Sequence, residues 1–263
     1  MSSTSPLIPE QRHQEVLRLL RSAGVLSIRH LAELLGVSHM TVRRDIAALE
    51  ESGQVASVQG GVRLSEWTSR ELPRERGSRA MLELPRKRAI AELAAGLVRD
   101  RMVVFLDAGT TCEAVVPFIA TRQGLTVVTN DFFVVTTLFD YPGIETIHTG
   151  GAVDISSGSS SGPLAAATVG AVSIDLAFLS TGAWDLAHGL TTPTTEKVSL
   201  KRAAMDAAST CVLLADSTKF GTFDRFKVAP LDAIDVIITD AELSDDGRSA
   251  VTELGVDLRL ASI

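Results

Sequence analysis

The stretch LSIRHLAELLGVSHMTVRRDIAAL, residues 26–49, reads as two short helices joined by a tight turn. Leu31, Leu34 and Leu35 recur at helical spacing, Gly36 and Val37 interrupt the pattern, and a second helical stretch starts at Ser38. Ser38 suits an N-cap, because its hydroxyl can accept from the exposed amides of the first turn. Val42, Ile46 and Leu49 then supply a buried face at i, i+4 and i+7. The opposite face holds His39, Thr41, Arg43, Arg44 and Ala47, mostly in the first two turns, where a helix lying in a major groove meets base edges and phosphates. By composition alone, two arginines on a helical hairpin are solvated surface charge. Their order favours a helix-turn-helix: Ala32 is small where the helices must cross, Gly36 permits the positive φ of the turn, and both arginines follow the cap. Ser38, His39, Thr41, Arg43 and Arg44 are therefore the expected DNA-facing residues.

Outward from this core, VASVQGGVRL (residues 55–64) gives two short β-rich runs around a Gln-Gly-Gly turn, the pattern of a hairpin. A hairpin directly after a recognition helix is a wing. LAELLGVSHMTVRRDIAALEESG followed by QGGV resembles the winged helix-turn-helix of the DeoR family of bacterial transcription regulators, in which VS-x-x-TxRRD and GG recur. The likeness covers roughly residues 10–64. This chain departs from it at Val55, Ala56 and Ser57, where the family usually places an arginine in the wing's first strand.

The 263 residues are too many for one winged helix and enough for a second domain with a substantial core. The expected division is a reader over 8–64, a linker over 65–85 and an effector-sensing domain over 86–263. Cys112 and Cys211 each sit in an apolar run, which suggests neither a disulfide framework nor a zinc cluster, and no metal or cofactor is expected. MSSTSPLIPEQR lacks the layout of a signal peptide, and no apolar run approaches a membrane span, so a soluble protein of a reducing cytoplasm is expected. The net charge of −7 is uneven. Residues 1–70 carry 8 Arg against 7 acids, residues 71–88 carry 6 basic against 3 acidic groups, and the remainder carries 11 against 22. Affinity for DNA must then rest on a few placed arginines, helped by assembly into a homo-oligomer, a dimer or tetramer.

Residues 10–24 form an amphipathic helix with Val16, Leu19 and Leu20 inward and Gly24 as C-cap. Arg12 and His13 near its start read as solvated charges, with phosphate contact the other option. Residues 66–85 are polar, charged and carry two prolines, which suits an exposed linker. Arg86 to Asp100 returns to helical spacing. β-like runs then alternate with helices: MVVFLD (102–107), LTVVT (125–129), ETIHT (145–149), LAFLS (176–180), CVLLA (211–215), DVIIT (235–239) and DLRL (257–260). Continuous apolar strands separated by helices imply a mostly parallel α/β sheet covered on both faces, with ligands gathering at the carboxyl ends of the strands.

Small polar residues collect at those ends: Asp107-Ala108-Gly109-Thr110-Thr111, Thr129-Asn130-Asp131, Thr149-Gly150-Gly151, Thr181-Gly182-Ala183 and Asp216-Ser217-Thr218-Lys219. The first runs into a helix and reads as an anion site; the fourth alone reads as a strand-ending turn. Together they favour a polyol or phosphate pocket. DAGTT, VVTND, HTGG, HGLTTPTTEKVSLKRAA and LLADSTKFG also resemble the DeoR-type sensor domain, whose fold is similar to ribose-5-phosphate isomerase and glucosamine-phosphate deaminase. The resemblance implies a repressor of a catabolic operon that binds double-stranded operator DNA and responds to a phosphorylated sugar. By that likeness Asp107, Gly109, Thr110 and Thr111 hold a phosphate, Asn130, Gly150 and Gly151 line the pocket, and Lys201, Asp216 and Lys219 engage the sugar or phosphate. Many relatives carry a glutamate where this chain has Lys197, a cation suited to the carboxylate of a sugar acid. Trp184 is placed either to stack on a ligand or to pack against its own domain. Two other readings compete: a working sugar-phosphate isomerase or deaminase with Glu196 as general base, and a constitutive architectural protein whose large domain serves assembly. The fused reader disfavours the enzyme, and the polar strand ends disfavour the scaffold.

Overall fold

The structure is a computed structural model that describes residues 8–23, 25–58, 60–64 and 82–263. The chain divides into two units, Met1–Leu72 and Pro73–Ile263. In the first, α1 (Pro9–Ala23), β1 (Val25–Leu26), α2 (Ile28–Leu35), α3 (His39–Glu51), β2 (Val55–Val58) and β3 (Gly61–Leu64) follow in order. Ser27 and Ser38 cap α2 and α3, accepting from the His30 and Thr41 amides at 3.1 Å each. Gly36 ends α2 in the left-handed region, φ 64°, which lets the chain turn within three residues. Val16, Leu17, Leu20, Leu31, Ala32, Val42, Ile46 and Leu49 form one core with Val55 and Val62 of the hairpin. Leu34, at helical spacing with Leu31, is half exposed, because α2 is only two turns long and Leu31 and Ala32 fill its inner face. β3 pairs with both β2 and β1, and a Cβ at Gly61 would overlap the Leu26 carbonyl oxygen, so the close approach requires glycine. Gly24, Gln59 of the wing turn and linker residues 65–81 lie outside the described residues.

The second unit runs α4 (Leu84–Ala95), β4 (Val103–Leu106), α5 (Thr110–Glu113), α6 (Val116–Ile119), β5 (Thr126–Thr129), α7 (Phe132–Leu138), β6 (Glu145–His148), β7 (Ala152–Asp154), β8 (Ser159–Ser161), α8 (Pro163–Gly170), β9 (Ile174–Ser180), β10 (Ala183–Asp185), β11 (Gly189–Thr192), α9 (Thr195–Ala207), β12 (Ala208–Leu214), β13 (Phe226–Ala229), β14 (Val236–Asp240), α10 (Asp245–Glu253) and β15 (Asp257–Ala261). All seven expected strands join one sheet in the order β15-β14-β12-β9-β4-β5-β6, and every neighbouring pair is parallel. Alternation serves two cores. Val104, Leu106, Leu176, Phe178, Val212 and Leu214 meet Ile90 and Ala94 of α4 on one face, while Phe105, Ala177, Leu179 and Leu213 meet Leu200 and Ala204 of α9 on the other. α4 starts two residues earlier than the sequence suggests, with Pro85 in its first turn, where a missing amide costs nothing. Two small antiparallel sheets, β7-β8 and β10-β11-β13, were not apparent in the sequence. The sheet reverses direction of growth between β4 and β9, and that switch point is where open α/β sheets seat ligands.

Candidate DNA-reading face and effector site

α3 keeps Val42, Asp45, Ile46 and Leu49 inward and leaves Ser38, His39, Met40, Arg43, Arg44, Ala47 and Ala48 exposed, with Thr41 half-buried. The Ser38 and Thr41 hydroxyls lie 2.9 Å apart, so both are partly engaged in the cap. Asp45 is an inward carboxylate among aliphatic side chains, and its partners come from α1. Arg12 donates to it from Nε at 2.8 Å and from Nη2 at 3.0 Å, and His13 Nε2 lies 3.2 Å from Oδ1. Arg12 and His13 are therefore not solvated charges: they fix α1 against the recognition helix, and Asp45 raises the Arg12 pKa through that hydrogen bond. Nothing in the spacing of Arg12 and Asp45, 33 residues apart, announces the pair. The wing is tied to α3 as well, because Glu50 accepts from the Ser57 amide at 2.8 Å, an interaction that lowers the Glu50 pKa. Arg63 stands opposite Ala56, so the hairpin carries its arginine in the second strand instead of the first.

In the second unit, Asp107 leaves the end of β4 almost fully buried, accepting from its neighbour Ala108 N at 2.8 Å and from Ser180 N of β9 at 3.0 Å. Lys201, reaching down from α9 and itself buried, donates to the same Asp107 oxygen and to the Ser180 carbonyl at 2.6 Å. Ser180 returns its hydroxyl to Ala108 O at 2.6 Å, and a Cβ at Gly109 would overlap that hydroxyl. Gly109 N donates to Asp131 at 3.0 Å. The amides of Ala108 and Gly109, expected to face an incoming anion, are thus already held by two carboxylates of the chain itself. That corrects the expectation that this loop stands open to phosphate; Thr110 and Thr111 follow on the short α5, with Thr111 buried.

Next along the edge, Asn130 exchanges hydrogen bonds with Ser160 of β8, its Nδ2 donating to Ser160 O at 2.9 Å and its carbonyl accepting from Ser160 N at 2.8 Å. The Asn130 Oδ1 is buried without a partner. Gly150 donates to His148 Nδ1 at 3.1 Å, and Gly151, at φ 105°, lies so close to β8 that a Cβ would come within 2.7 Å of Ser161 O. Lys197 is paired with Asp154 of β7 at 3.0 Å, so the cation read as suited to a ligand carboxylate already has one from its own chain. Against the desolvation that raises it, Ser156, Ser157 and Lys197 hold the Asp154 pKa down. Asp216 is buried at the end of β12 and accepts from Thr218, while Lys219 ends a single 3-10 turn half-exposed. Thr181 closes its own turn, accepting from Ala183 N at 3.1 Å. Trp184 is fully buried with Phe220 against its ring at 4.8 Å, which settles it as packing. Glu196 is exposed in the first turn of α9, its carbonyl accepting from Gly162 N at 3.4 Å.

The switch point therefore assembles Asp107, Gly109 and Lys201; Asn130, Gly150 and Gly151 continue the same edge on one side and Asp216 and Lys219 on the other. Ser180 and Asp154 were missed, and Asp131, noted at its strand end, was given no role in the site. Of these only Asp131 carries a sequence signal, an acid immediately before an apolar helix that it caps through Phe133 N at 2.8 Å.

An exposed, capped helix followed by a wing, carried on the same chain as a parallel α/β unit with a polar switch point, defines a winged-helix DNA-binding regulator. The chain belongs to the DeoR family: residues 12–68 match the DeoR-like helix-turn-helix domain and residues 83–241 the DeoR C-terminal sensor domain. It is 39% identical over 254 residues to an HTH-type transcriptional regulator of Haemophilus influenzae, covering 97% of this chain and 98% of that one. It is 28% identical over 250 residues to a putative aga operon transcriptional repressor of Escherichia coli O157:H7, covering 95% and 93%. Among solved structures, a ribose-5-phosphate isomerase from Methanocaldococcus jannaschii is similar over 51% of this chain and 53% of its own, with 17% identity and a TM-score of 0.38. The protein is thus a transcription regulator acting on operator DNA. No helix among the described residues is long and apolar enough to cross a membrane.

Proposed function

We propose that the chain represses a carbohydrate or sugar-acid catabolic operon and is released from its operator by a phosphorylated sugar-type effector. In this reading residues 8–64 are the reader, 65–85 the linker and 86–263 the sensor, and the protein works as a homo-oligomer on repeated half-sites. The observation that carries it is the buried Lys201–Asp107 pair at the β4/β9 switch point, a cation held against a carboxylate where an anionic ligand would compete for it. Asn130, Gly150, Gly151, Lys219 and Asp216 flank that point and supply the polar contacts a polyol requires. With Lys197 occupied by Asp154, preference for a sugar acid depends on whether the ligand displaces that carboxylate.

The test is a titration of operator release and thermal stability with phosphorylated aldoses, ketoses and aldonates. A ligand at 100 times its Kd stabilises the native state by about 2.7 kcal/mol. Lys219→Ala is expected to leave operator binding intact and to blunt release at least tenfold. A response equal to that of the unsubstituted chain, or no stabilisation by any sugar phosphate, counts against the placement of the site.

A further inference from the structure

At the end of β14, Asp240 is fully buried, and its carboxylate is shared by two segments far apart in the chain. Ser217, next to Asp216 in the turn that carries Lys219, donates to it twice, from N to Oδ2 at 2.7 Å and from Oγ to Oδ1 at 2.8 Å. On the other side Arg86, in the first turn of α4, brings Nε to 3.6 Å from Oδ1. Arg86 also holds Glu83 at 2.5 Å and Glu242, whose own amide donates to Asp240 Oδ1 at 3.1 Å. Glu83 lies at φ 54°, a left-handed conformation rare outside glycine, directly after the residues that lead out of the DNA reader. A buried carboxylate and its partners polarise and hold one another, so loosening on one side loosens the other.

We propose that Arg86–Asp240–Ser217 is the link through which the Asp216–Lys219 turn and the start of α4 sense one another, with Arg86 a positioning residue for effector response. This rests on the reading that the Asp216–Lys219 turn meets the effector. A ligand that draws the turn toward the switch point pulls Ser217 away from Asp240. Asp240 is then less firmly placed for Arg86, and the Glu83–Arg86 segment loosens. Conversely, an anchored Arg86 biases the turn. A tenfold change in operator affinity, about 1.4 kcal/mol, lies within reach of one charge-assisted hydrogen bond made in only one state.

Hydrogen exchange on the full chain tests the link without any ligand. In Arg86→Met the Ser217 and Lys219 amides are expected to exchange at least tenfold faster, and in Ser217→Ala the amides of Lys87 and Arg88 likewise, while β4 and β9 amides stay unchanged. Arg86→Lys, which keeps a cation on a similar stem, restores part of the protection. In the same chains, release from operator by ribose 5-phosphate, glucose 6-phosphate or 6-phosphogluconate is scored beside the thermal shift. The expected outcome is a retained shift with release weakened tenfold or more in Arg86→Met. Unchanged exchange at Ser217 in Arg86→Met, or a bound ligand that still releases that variant from DNA as it does the parent, overturns the link. Should none of the three ligands bind the parent chain, the effector reading fails on its own and the exchange arms alone decide the link.

Discussion

At the residue scale, the buried ion pair at the switch point sets the first prediction. Lys201 and Asp107 are each almost fully enclosed, so the pair is worth little relative to an apolar replacement, yet removal of one partner strands the other. Lys201→Ala is expected to cost about 3–5 kcal/mol in urea unfolding. The double variant Lys201→Met, Asp107→Leu should recover much of that loss; if the single and double variants are equally destabilised, the pair is not the cause. This is also why Lys219, and not Lys201, is the residue to remove when testing effector response. The two thiols give a second prediction. Burial raises the Cys112 pKa well above its ordinary value, and burial beside Asp235 pushes Cys211 up to about 12, so neither forms thiolate near neutrality. Native protein at pH 8 should react with a disulfide reagent only as fast as it unfolds, and rapid labelling of either thiol would contradict this. His148 carries a pH signature. Desolvation lowers its pKa below 6.5, so the unfolded chain binds that proton more readily than the folded one. Its contribution to stability is full above pH 6.5 and is lost as pH falls through that value toward the folded pKa. Unfolding curves from pH 7.5 to 5 should show the decline, and His148→Gln should flatten it.

At the scale of elements, α3 divides into an exposed face, the one expected to meet DNA, and an inner face for the fold, and neighbouring positions separate the two. Arg44 is exposed and Asp45 is buried under Arg12 and His13. Arg44→Ala is therefore expected to weaken operator binding without loss of stability, by about 1–3 kcal/mol where the contact is to a base, or by a uniform factor over all sequences where it is to phosphate. Asp45→Ala should instead lower stability and lose binding only through unfolding. Circular dichroism melts beside salt-controlled shift assays separate the outcomes. The face of α3 was legible because its apolar spacing and its cap are local. The Arg12–Asp45 pair was not, because it joins residues 33 apart whose identities carry no periodic signal. The same contrast runs through the second unit. Most strands of the large sheet are apolar runs that announce themselves, whereas β8 is Ser159-Ser160-Ser161, held through the Ser160 backbone by Asn130 and hidden from any hydrophobic pattern. The glycines and polar residues at the strand ends were read correctly as an edge. The carboxylate that fills the Gly109 amide was invisible, since Asp131 meets it only once the sheet has formed.

At the scale of the whole molecule, the problem is charge. The chain carries −7 overall, and the excess acid lies beyond residue 88, so the reader must bind a polyanion while joined to an acidic unit. A winged helix with Arg43 and Arg44 on its exposed face and Arg63 in its wing offers cations for only a handful of phosphate contacts, too few to select one site among many genomic competitors. Linking two readers makes the second binding event intramolecular and multiplies affinity without a new contact, provided the half-sites match the spacing of the readers. A dimer or tetramer assembled through the acidic unit is therefore expected, with half-site centres about 10–10.5 bp or a multiple apart on the duplex. Two measurements decide it together. Light scattering at micromolar concentration should show no monomer, and the slope of log affinity against log salt should correspond to about 4–8 neutralised phosphates at roughly 0.9 each. A monomer that binds a single half-site with a slope of only two or three would mean that one reader suffices and that the acidic unit does not assemble. An oligomer whose affinity is unaffected when the spacing between half-sites is changed by 5 bp would mean that its readers do not engage DNA together, because half a helical turn places the second half-site on the opposite side of the duplex.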